Sequence, residues 1–142
     1  MNLYEAKPII YTAQSRALFY CRMLICKYAI GCGVVPINPF NLWGYFLNDL
    51  VDRDLIRQAN NNVLRIVDEI WTFGPIANGV WAEIEYGMEL GKPIKFFSAG
   101  TTHDAFRPLS PADLTFEPEL LEGRPKRELL MRIESYDPSS AI

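Results

Sequence analysis

The sequence predicts an α/β fold, namely a doubly wound, flavodoxin- or Rossmann-like parallel sheet of four to five strands with flanking helices and a C-terminal extension. Three observations predict it. Short apolar runs alternate with longer helical patterns between residues 7 and 97. Glycines stand where helical patterns end. The order strand, helix, strand implies right-handed parallel crossovers. With 142 residues, 49% of them apolar, the chain is long enough to bury a core.

The first crossover fills the N-terminal third of the chain. Residues 7–12 (KPIIYT) form a short apolar run that predicts a buried strand. Residues 15–30 carry a broad apolar helical face, and residues 34–37 predict the second strand. An aromatic-rich loop, residues 38–46 (NPFNLWGYF), follows.

Two further crossovers complete the predicted sheet. Residues 52–67 predict a helix, residues 70–73 the third strand, residues 78–91 a helix and residues 94–97 the fourth strand. We expect Asn78 to cap the N-terminus of its helix, because Asn is a favoured N-cap residue. Ligands of such sheets bind at the carboxyl ends of the strands, near the switch in strand order.

The character of the chain changes near residue 98. Residues 1–98 are expected to form the α/β domain, and residues 99–142 a C-terminal extension that packs on the core or on a neighbouring subunit. The first part of this extension is rich in Pro, Gly, Thr and acidic residues, and residues 126–135 predict a short helix.

Composition and charge narrow the class of protein. A net charge of −3 and a pI near 5.2 argue against a general nucleic-acid-binding protein, which usually carries a basic face. No apolar run reaches the roughly 20 residues that a membrane-spanning helix needs. The first ten residues (MNLYEAKPII) lack the long apolar segment of a secretory signal. We therefore expect a cytoplasmic protein without nucleic-acid or membrane partners.

The cysteines do not indicate a metal site. Cys21, Cys26 and Cys32 crowd the first predicted helix and its end, with spacings that fit no zinc pattern. His103 is the sole histidine, so a tetrahedral Cys/His site is not expected. We interpret the cysteines as reduced thiols of the core, and His103 as a solvated surface residue.

Glu83 is the candidate for chemistry. It stands in the first turns of the helix that opens at Asn78 and Gly79, where the helix dipole favours an ionised carboxylate. An ionised, partly shielded Glu beside a backbone that a ligand can approach is a candidate nucleophile for sugar chemistry. Taken alone, Glu83 is better explained as a surface residue of the helix.

A set of motifs in fixed order favours the interpretation of Glu83 as a nucleophile. The set comprises Tyr11-Thr12-Ala13, Asp68 at the start of a strand, Gly79-x-x-x-Glu83-x-x-x-Gly87, and Leu90-Gly91-Lys92-Pro93 before an apolar strand. This order resembles the nucleoside 2-deoxyribosyltransferase-like superfamily, and most closely its uncharacterised bacterial and phage members. The resemblance covers roughly residues 9 to 97.

The resemblance implies an enzyme of the N-glycosidic bond that uses no cofactor and no metal. Glu83 matches the nucleophile that attacks C1′ of the sugar and displaces the base. Tyr11 matches a tyrosine at the end of the first strand that orients this carboxylate. Gly79 would let the backbone approach the ribose or a phosphate.

The resemblance also implies substrate-binding residues and shows departures. Ser15 and Arg16 stand where monophosphate-cleaving relatives hold a phosphate. Asn60 stands near the position of a second catalytic carboxylate, and an amide cannot act as a general acid or base near neutral pH. A further polar residue of the relatives falls near Ala77, for which Asn78 is a one-residue substitute.

Two aromatic residues of the 38–46 loop complete the candidate site. Phe40 and Trp43 offer the flat apolar wall that a nucleobase needs, although such residues more often serve a core or an interface. The same pattern is compatible with three functions: a glycosidase or transferase, a protein that binds a nucleotide-derived ligand without turnover, and an interaction domain. The resemblance implies a homo-oligomer, a dimer or higher, because sites in this superfamily are often completed by a neighbouring subunit.

Overall fold

The computed structural model describes residues 1–44 and 46–138 and contains one four-stranded sheet. All neighbouring strands are parallel, in the order β2-β1-β3-β4. The strands are β1 (Ile9–Gln14), β2 (Val35–Ile37), β3 (Glu69–Phe73) and β4 (Ile94–Phe97). The predicted α/β fold with a parallel sheet and flanking helices is confirmed.

Helices connect the strands and continue into the extension. The α-helices are α1 (Arg22–Gly31), α2 (Pro39–Trp43), α3 (Arg53–Ile66), α4 (Asn78–Glu89), α5 (Pro118–Gly123) and α6 (Lys126–Ser135). Short 3-10 turns span Arg16–Cys21, Phe46–Asp49, His103–Ala105 and Pro111–Asp113. Among the helices of the described ranges, none combines the length and the apolar character that crossing a membrane requires.

Two hydrophobic cores lie on opposite faces of the sheet. Alternate residues of a strand face opposite sides, so Tyr11 and Ile70 join one core while Ile10 and Trp71 join the other. The first core contains α3, α4, α5 and α6, and the second contains α1 and the turn before it. This three-layer arrangement is that of a doubly wound sheet.

The first crossover differs from the prediction. β1 spans Ile9–Gln14 rather than residues 7–12, so Tyr11 lies inside the strand and not at its end. The single helix predicted over residues 15–30 is interrupted by non-helical backbone at Leu18. The Nε2 of Gln14 donates to the Leu18 carbonyl oxygen at 2.7 Å. The Arg22 amide donates to the carbonyl oxygen of Phe19, and not to that of Leu18, so the hydrogen bonds of the α-helix begin only after this turn.

Two more local predictions are corrected by the structure. Residues 38–46 are not a plain loop, because they contain α2, whose N-cap is Asn38; its Oδ1 accepts from the Phe40 amide at 3.0 Å. The prediction that Asn78 caps α4 is wrong, since Ala77 occupies the cap position in extended backbone and no side chain caps the helix. Asn78 is instead the first helical residue.

The cysteines of the first crossover are all free thiols, but they do not all belong to the core. Cys21 is buried, Cys26 is half-buried and Cys32 is exposed at the end of α1. The interpretation as core thiols therefore holds for Cys21 and is wrong for Cys32, where the turn at Gly33 carries the chain to the surface.

The C-terminal extension packs on the face of the sheet that carries α4. Phe116 forms a parallel bridge with Ile76, and the Leu109 amide donates to the Phe96 carbonyl at 2.8 Å. Leu120 and Leu129 are buried in the first core. The extension thereby covers an edge of the sheet and reaches the start of α4.

Gly87 sets the distance between α4 and the sheet. A Cβ atom at this position would overlap Cδ1 of the fully buried Ile70 on β3. A methyl group here would fit only if the Ile70 side chain moved, so Gly87 permits the close approach of α4 to β3.

We predict that Gly87→Ala lowers the free energy of unfolding by about 1–3 kcal/mol, because the added methyl group overpacks the core. Urea unfolding measures the change. Gly79→Ala is the matched control on the same helix, since its Cβ would enter open space, and we expect it to leave stability unchanged or to raise it slightly. Equal stability of the Gly87→Ala variant and the wild type would contradict the close packing.

Candidate functional site

A cavity of about 640 Å³ opens at the carboxyl ends of β1 and β3. The chain leaves β1 towards β2 on one side and later adds β3 on the other, so the switch in strand order lies at this point. Its walls come from the turn after β1, α2, α3, the start of α4, and the extension. The cavity therefore occupies the position at which doubly wound sheets bind ligands.

The structure brings most of the predicted site residues to this cavity. Eight of them line it: Ser15, Arg16, Phe40, Trp43, Asn60, Asn78, Gly79 and Glu83. Tyr11 does not line the cavity and is fully buried within β1. A smaller groove of about 380 Å³ between α3 and α4 shares Asn60, Gly79 and Glu83 with it.

Glu83 and Tyr11 meet between α4 and β1. Glu83 is partly exposed where it lines the cavity, but its Oε2 is buried and has no hydrogen-bond partner. The Tyr11 hydroxyl is also buried and has none, although the two groups are close enough to shift each other's pKa. The predicted contact is present as a juxtaposition, without hydrogen-bond geometry between the two groups.

Burial of Glu83 opposes the expected ionisation. Burial disfavours the charged carboxylate and raises the pKa of Glu83 from an ordinary 4.5 to about 8, while the Tyr11 hydroxyl acts in the opposite direction. Burial, and then the charge of Glu83, raise the pKa of Tyr11 well above its usual value. The helix dipole does not compensate, because Glu83 is the sixth residue of α4 and the dipole acts mainly in the first turn.

A buried polar network supports the rim of the cavity beside β1. The Nδ2 of Asn38 donates to Thr12 Oγ1 at 2.9 Å and to Gln14 Oε1 at 2.7 Å. Asn38 also caps α2, and Gln14 holds the turn at Leu18. The network thereby fixes α2, which carries Phe40 and Trp43, to the end of the strand.

Trp43 orients Asn60 on the α3 wall. The indole Nε1 donates to Asn60 Oδ1 at 2.7 Å. An indole N–H can only donate, so the Asn60 oxygen must face it and the amide nitrogen remains as a donor of two hydrogen bonds. Asn60 is half-buried, whereas Asn61 and Asn62 are exposed. Asn60 thus presents amide donors to the cavity.

The extension supplies two acidic residues that the sequence analysis missed. Glu117 and Glu119 line the cavity, and Glu117 Oε2 accepts a short hydrogen bond from the Ser15 hydroxyl. Residues 98–125 show no periodicity that would place them, so the Ser15–Glu117 contact over 102 positions had no signal in the sequence. It follows from the bridge between Ile76 and Phe116.

Arginines line the α3 side of the cavity. Arg53 and Arg57 stand one turn apart on the helix face that carries Asn60. Arg57 pairs with Asp54 at 3.1 Å, in an exposed contact that contributes little to stability. Arg53 is the first residue of α3 and also lines the cavity.

Other chemistry-bearing groups lie elsewhere. His103 is exposed in the turn His103–Ala105 and does not line the cavity. Within the described part of the chain, no three His, Cys, Asp or Glu side chains gather in a way that would hold a metal ion. The groups at this cavity are therefore carboxyl, amide, hydroxyl, guanidinium and aromatic side chains.

Residues 13–97, more than half of the chain, match the family described as a domain of unknown function, DUF7768. The chain belongs to this family. No curated protein matches it in sequence. The DUF7768 match runs from the end of β1 to the end of β4, so it includes Glu83, Ser15 and Asn60 but neither Tyr11 nor the carboxylates of the extension.

We predict that the stability of this DUF7768 protein falls as pH rises from 4.5 to about 8, relative to Glu83→Gln. Glu83 keeps its proton in the folded state over this window but loses it in the unfolded state, so unfolding becomes easier by a few kcal/mol at most. Urea unfolding of both proteins across the window measures the difference. Glu89→Gln, at an exposed position of α4, should follow the wild type; parallel curves for all three proteins would disprove the raised pKa.

Proposed function

We propose that this protein breaks the N-glycosidic bond of a nucleoside or nucleotide, by hydrolysis or by transfer to a second base, with Glu83 as nucleophile. The proposal rests on the motif order and on one structural observation. A buried, unpartnered carboxyl oxygen lies beside a buried, unpartnered tyrosine hydroxyl at the wall of a cavity.

The free-energy cost of burying the Glu83 carboxyl group beside the Tyr11 hydroxyl favours a functional role for the two residues. Two buried polar groups that meet without a well-formed hydrogen bond lower the stability of the fold, because each has lost its hydrogen bonds to water. Perturbed carboxyl groups in clefts are enriched at functional sites. The cavity, about 640 Å³, lies within the range of about 300–1,000 Å³ found for small-molecule sites.

The reaction would proceed in two displacements at C1′. The ionised Glu83 attacks C1′, the bond between C1′ and the base nitrogen breaks, and the electron pair leaves with the base, which takes up a proton. Water or a second base then attacks C1′ from the opposite face and releases the carboxylate. Two inversions give net retention of configuration.

Tyr11 would help the carboxylate through this cycle. A hydroxyl that donates to the ionised form of Glu83 stabilises it, and the positive charge that develops at C1′ does the same. When the glycosyl ester forms, the carboxylate charge is lost and burial no longer carries a penalty. A buried Glu83 is therefore more reactive than a hydrated one once it has ionised.

The other walls of the cavity fit a nucleobase and the step in which the base leaves the sugar. Phe40 and Trp43 provide aromatic surface, and the Asn60 amide can donate to a base that leaves with extra electron density. Gly79 leaves open space beside the start of α4, where a sugar can approach the backbone. The three free thiols support the cytoplasmic location that the sequence predicts.

We predict that Glu83→Gln lowers base release by at least about 10³-fold, because the amide cannot form the glycosyl intermediate. Chromatography of free base after incubation with ribo- and deoxynucleosides and their 5′-monophosphates, with and without an acceptor base, measures this. The wild-type rate should rise with pH through an inflection near 8, as Glu83 ionises.

Glu89→Gln, on the same helix, is the control and should retain the wild-type rate. Base release that survives Glu83→Gln would remove Glu83 as nucleophile. A folded wild-type protein that releases no base from the whole panel would refute the enzymatic function.

A second candidate function is the binding or sequestering of a nucleotide-derived ligand without turnover. One observation favours it: the described residues of α3 that line the cavity include no carboxylate, and Asn60 stands where a general acid or base is expected. Retention of a nucleoside in equilibrium dialysis, by wild type and Glu83→Gln alike and without product, would support this function.

Asn60→Asp separates the two candidates. The variant keeps an oxygen for the Trp43 N–H and adds a titratable carboxyl group to the α3 wall. We predict that it raises base release at least about tenfold, since general acid–base catalysis contributes about 10²–10⁴-fold. Asn61→Asp, at an exposed neighbour, is the control. An unchanged rate in both variants would show that Asn60 does not limit the leaving step.

A further inference from the structure

We propose that the α3 wall of the cavity selects a substrate whose base carries carbonyl oxygens and leaves the sugar as an anion. Such oxo bases include hypoxanthine and uracil, and their amino counterparts are adenine and cytosine. This selectivity rests on the proposed function and deepens it, because it names the class of base. Its basis is the set of hydrogen-bonding groups that α3 presents to the cavity, and all of α3 lies within the described residues.

Trp43 fixes the direction of the hydrogen bonds that Asn60 can make. The indole Nε1 donates to Asn60 Oδ1 at 2.7 Å, and both residues line the cavity. Because an indole nitrogen only donates, this contact holds the amide oxygen towards Trp43. The two hydrogens on Asn60 Nδ2 remain for a ligand. Asn60 therefore acts towards the base as a donor.

The other polar groups of this wall are donors as well. α3 lines the cavity with Arg53, Ile56, Arg57 and Asn60. A guanidinium group has five N–H donors and no acceptor, and it stays charged in proteins. Arg57 also pairs with Asp54 at 3.1 Å, in an exposed contact that water weakens. The α3 wall therefore presents donors and positive charge to the cavity.

The carboxyl groups of the cavity come from other elements. Glu83 stands on α4, and Glu117 and Glu119 belong to the extension. The Ser15 hydroxyl already donates to Glu117 Oε2. A base that lies against Trp43 and turns its polar edge to Asn60 thus meets donors at that edge, and no carboxylate of α3.

An oxo base complements such a wall, and an amino base does not. The carbonyl oxygen of hypoxanthine or uracil accepts a hydrogen bond where the exocyclic amino group of adenine or cytosine donates one. An amino group that faces Asn60 Nδ2 would oppose two donors, which weakens binding because neither is paired. The wall thus distinguishes the two classes by the direction of a hydrogen bond.

The same donors serve the step in which the base leaves. The polar side chains that α3 places at the cavity cannot give up a proton near neutral pH, because they are an amide and two guanidinium groups. When the bond between C1′ and the base nitrogen breaks, the electron pair goes to the base, and an oxo base spreads the negative charge onto its carbonyl oxygens. Donors and positive charge stabilise this anion, which takes a proton from water after release. An amino group releases electron density into the ring, so an amino base depends more on a proton.

The test measures kcat/KM for base release from matched pairs, namely inosine against adenosine and uridine against cytidine. Each is supplied in the ribo and deoxy forms, as the nucleoside and as the 5′-monophosphate. We expect the wild type to prefer the oxo member of each pair by at least about tenfold, since opposed donors produce an effect of this size. 5-Fluorouridine should react faster than uridine, because fluorine stabilises the base anion.

Two variants should narrow the preference for the oxo bases. Asn60→Asp keeps an oxygen for Trp43 and adds a group that accepts from an amino base and can protonate it. We expect the ratio within each pair to fall at least about tenfold, since general acid catalysis contributes about 10²–10⁴-fold. Trp43→Phe keeps an aromatic ring and frees the Asn60 amide to turn its oxygen to the ligand, so the ratio should fall as well. A merely structural role of Asn60 would change both members of a pair equally.

Asn61→Asp, at an exposed neighbour that does not line this cavity, is the control and should keep the wild-type ratio. Equal kcat/KM for the two members of a reacting pair, or a preference for the amino bases, would overturn the proposal. A ratio that Asn60→Asp leaves unchanged would overturn the assignment to the α3 wall.

Equilibrium dialysis of the four free bases against the wild type measures the selectivity without turnover. If the protein releases no base but retains hypoxanthine and uracil in preference to adenine and cytosine, the enzymatic function is refuted and the selectivity is supported. Absence of release together with equal or no retention of the four bases would overturn the selectivity as well.

Discussion

The burial of the Glu83 carboxyl group against the Tyr11 hydroxyl is the constraint on which the candidate site depends. It requires α4 to lie close to β1 and β3, which the missing side chain of Gly87 permits. It also raises the pKa of Glu83 to about 8, which favours the protonated acid at neutral pH. Ionising Glu83 then carries the cost of desolvating a carboxylate, and a ligand that brings positive charge to C1′ offsets part of that cost.

The sheet positions the other walls of the cavity around Glu83 and Tyr11. β1 and β3 are paired, but the chain leaves β1 towards β2 and leaves β3 towards β4, in opposite directions across the sheet. The two connections therefore leave a crevice at the carboxyl ends of these strands. The network centred on Asn38 closes one side by fixing α2, and the Trp43–Asn60 hydrogen bond ties α2 to α3. The aromatic wall is thus held in place by polar contacts, of which those of Asn38 are buried.

Sequence reasoning predicted the α/β fold from the alternation of apolar runs with helical patterns, and most positions at the cavity from the resemblance. The spacing from Gly79 to Gly87 placed Glu83 on the inner side of α4. Sequence reasoning failed where contacts between distant parts of the chain determine the structure or the charge of a residue. The charge state of Glu83 depends on desolvation by residues far along the chain, and the break at Leu18 depends on the Gln14 side chain. Local propensity carries neither signal.

The extension is the part of the site that lies outside the DUF7768 match. The match ends with β4, whereas Glu117 and Glu119 come from beyond it. Because Glu117 is held by backbone pairing to Ile76, the fold of the extension fixes where its carboxylate meets the cavity that Glu83 also lines.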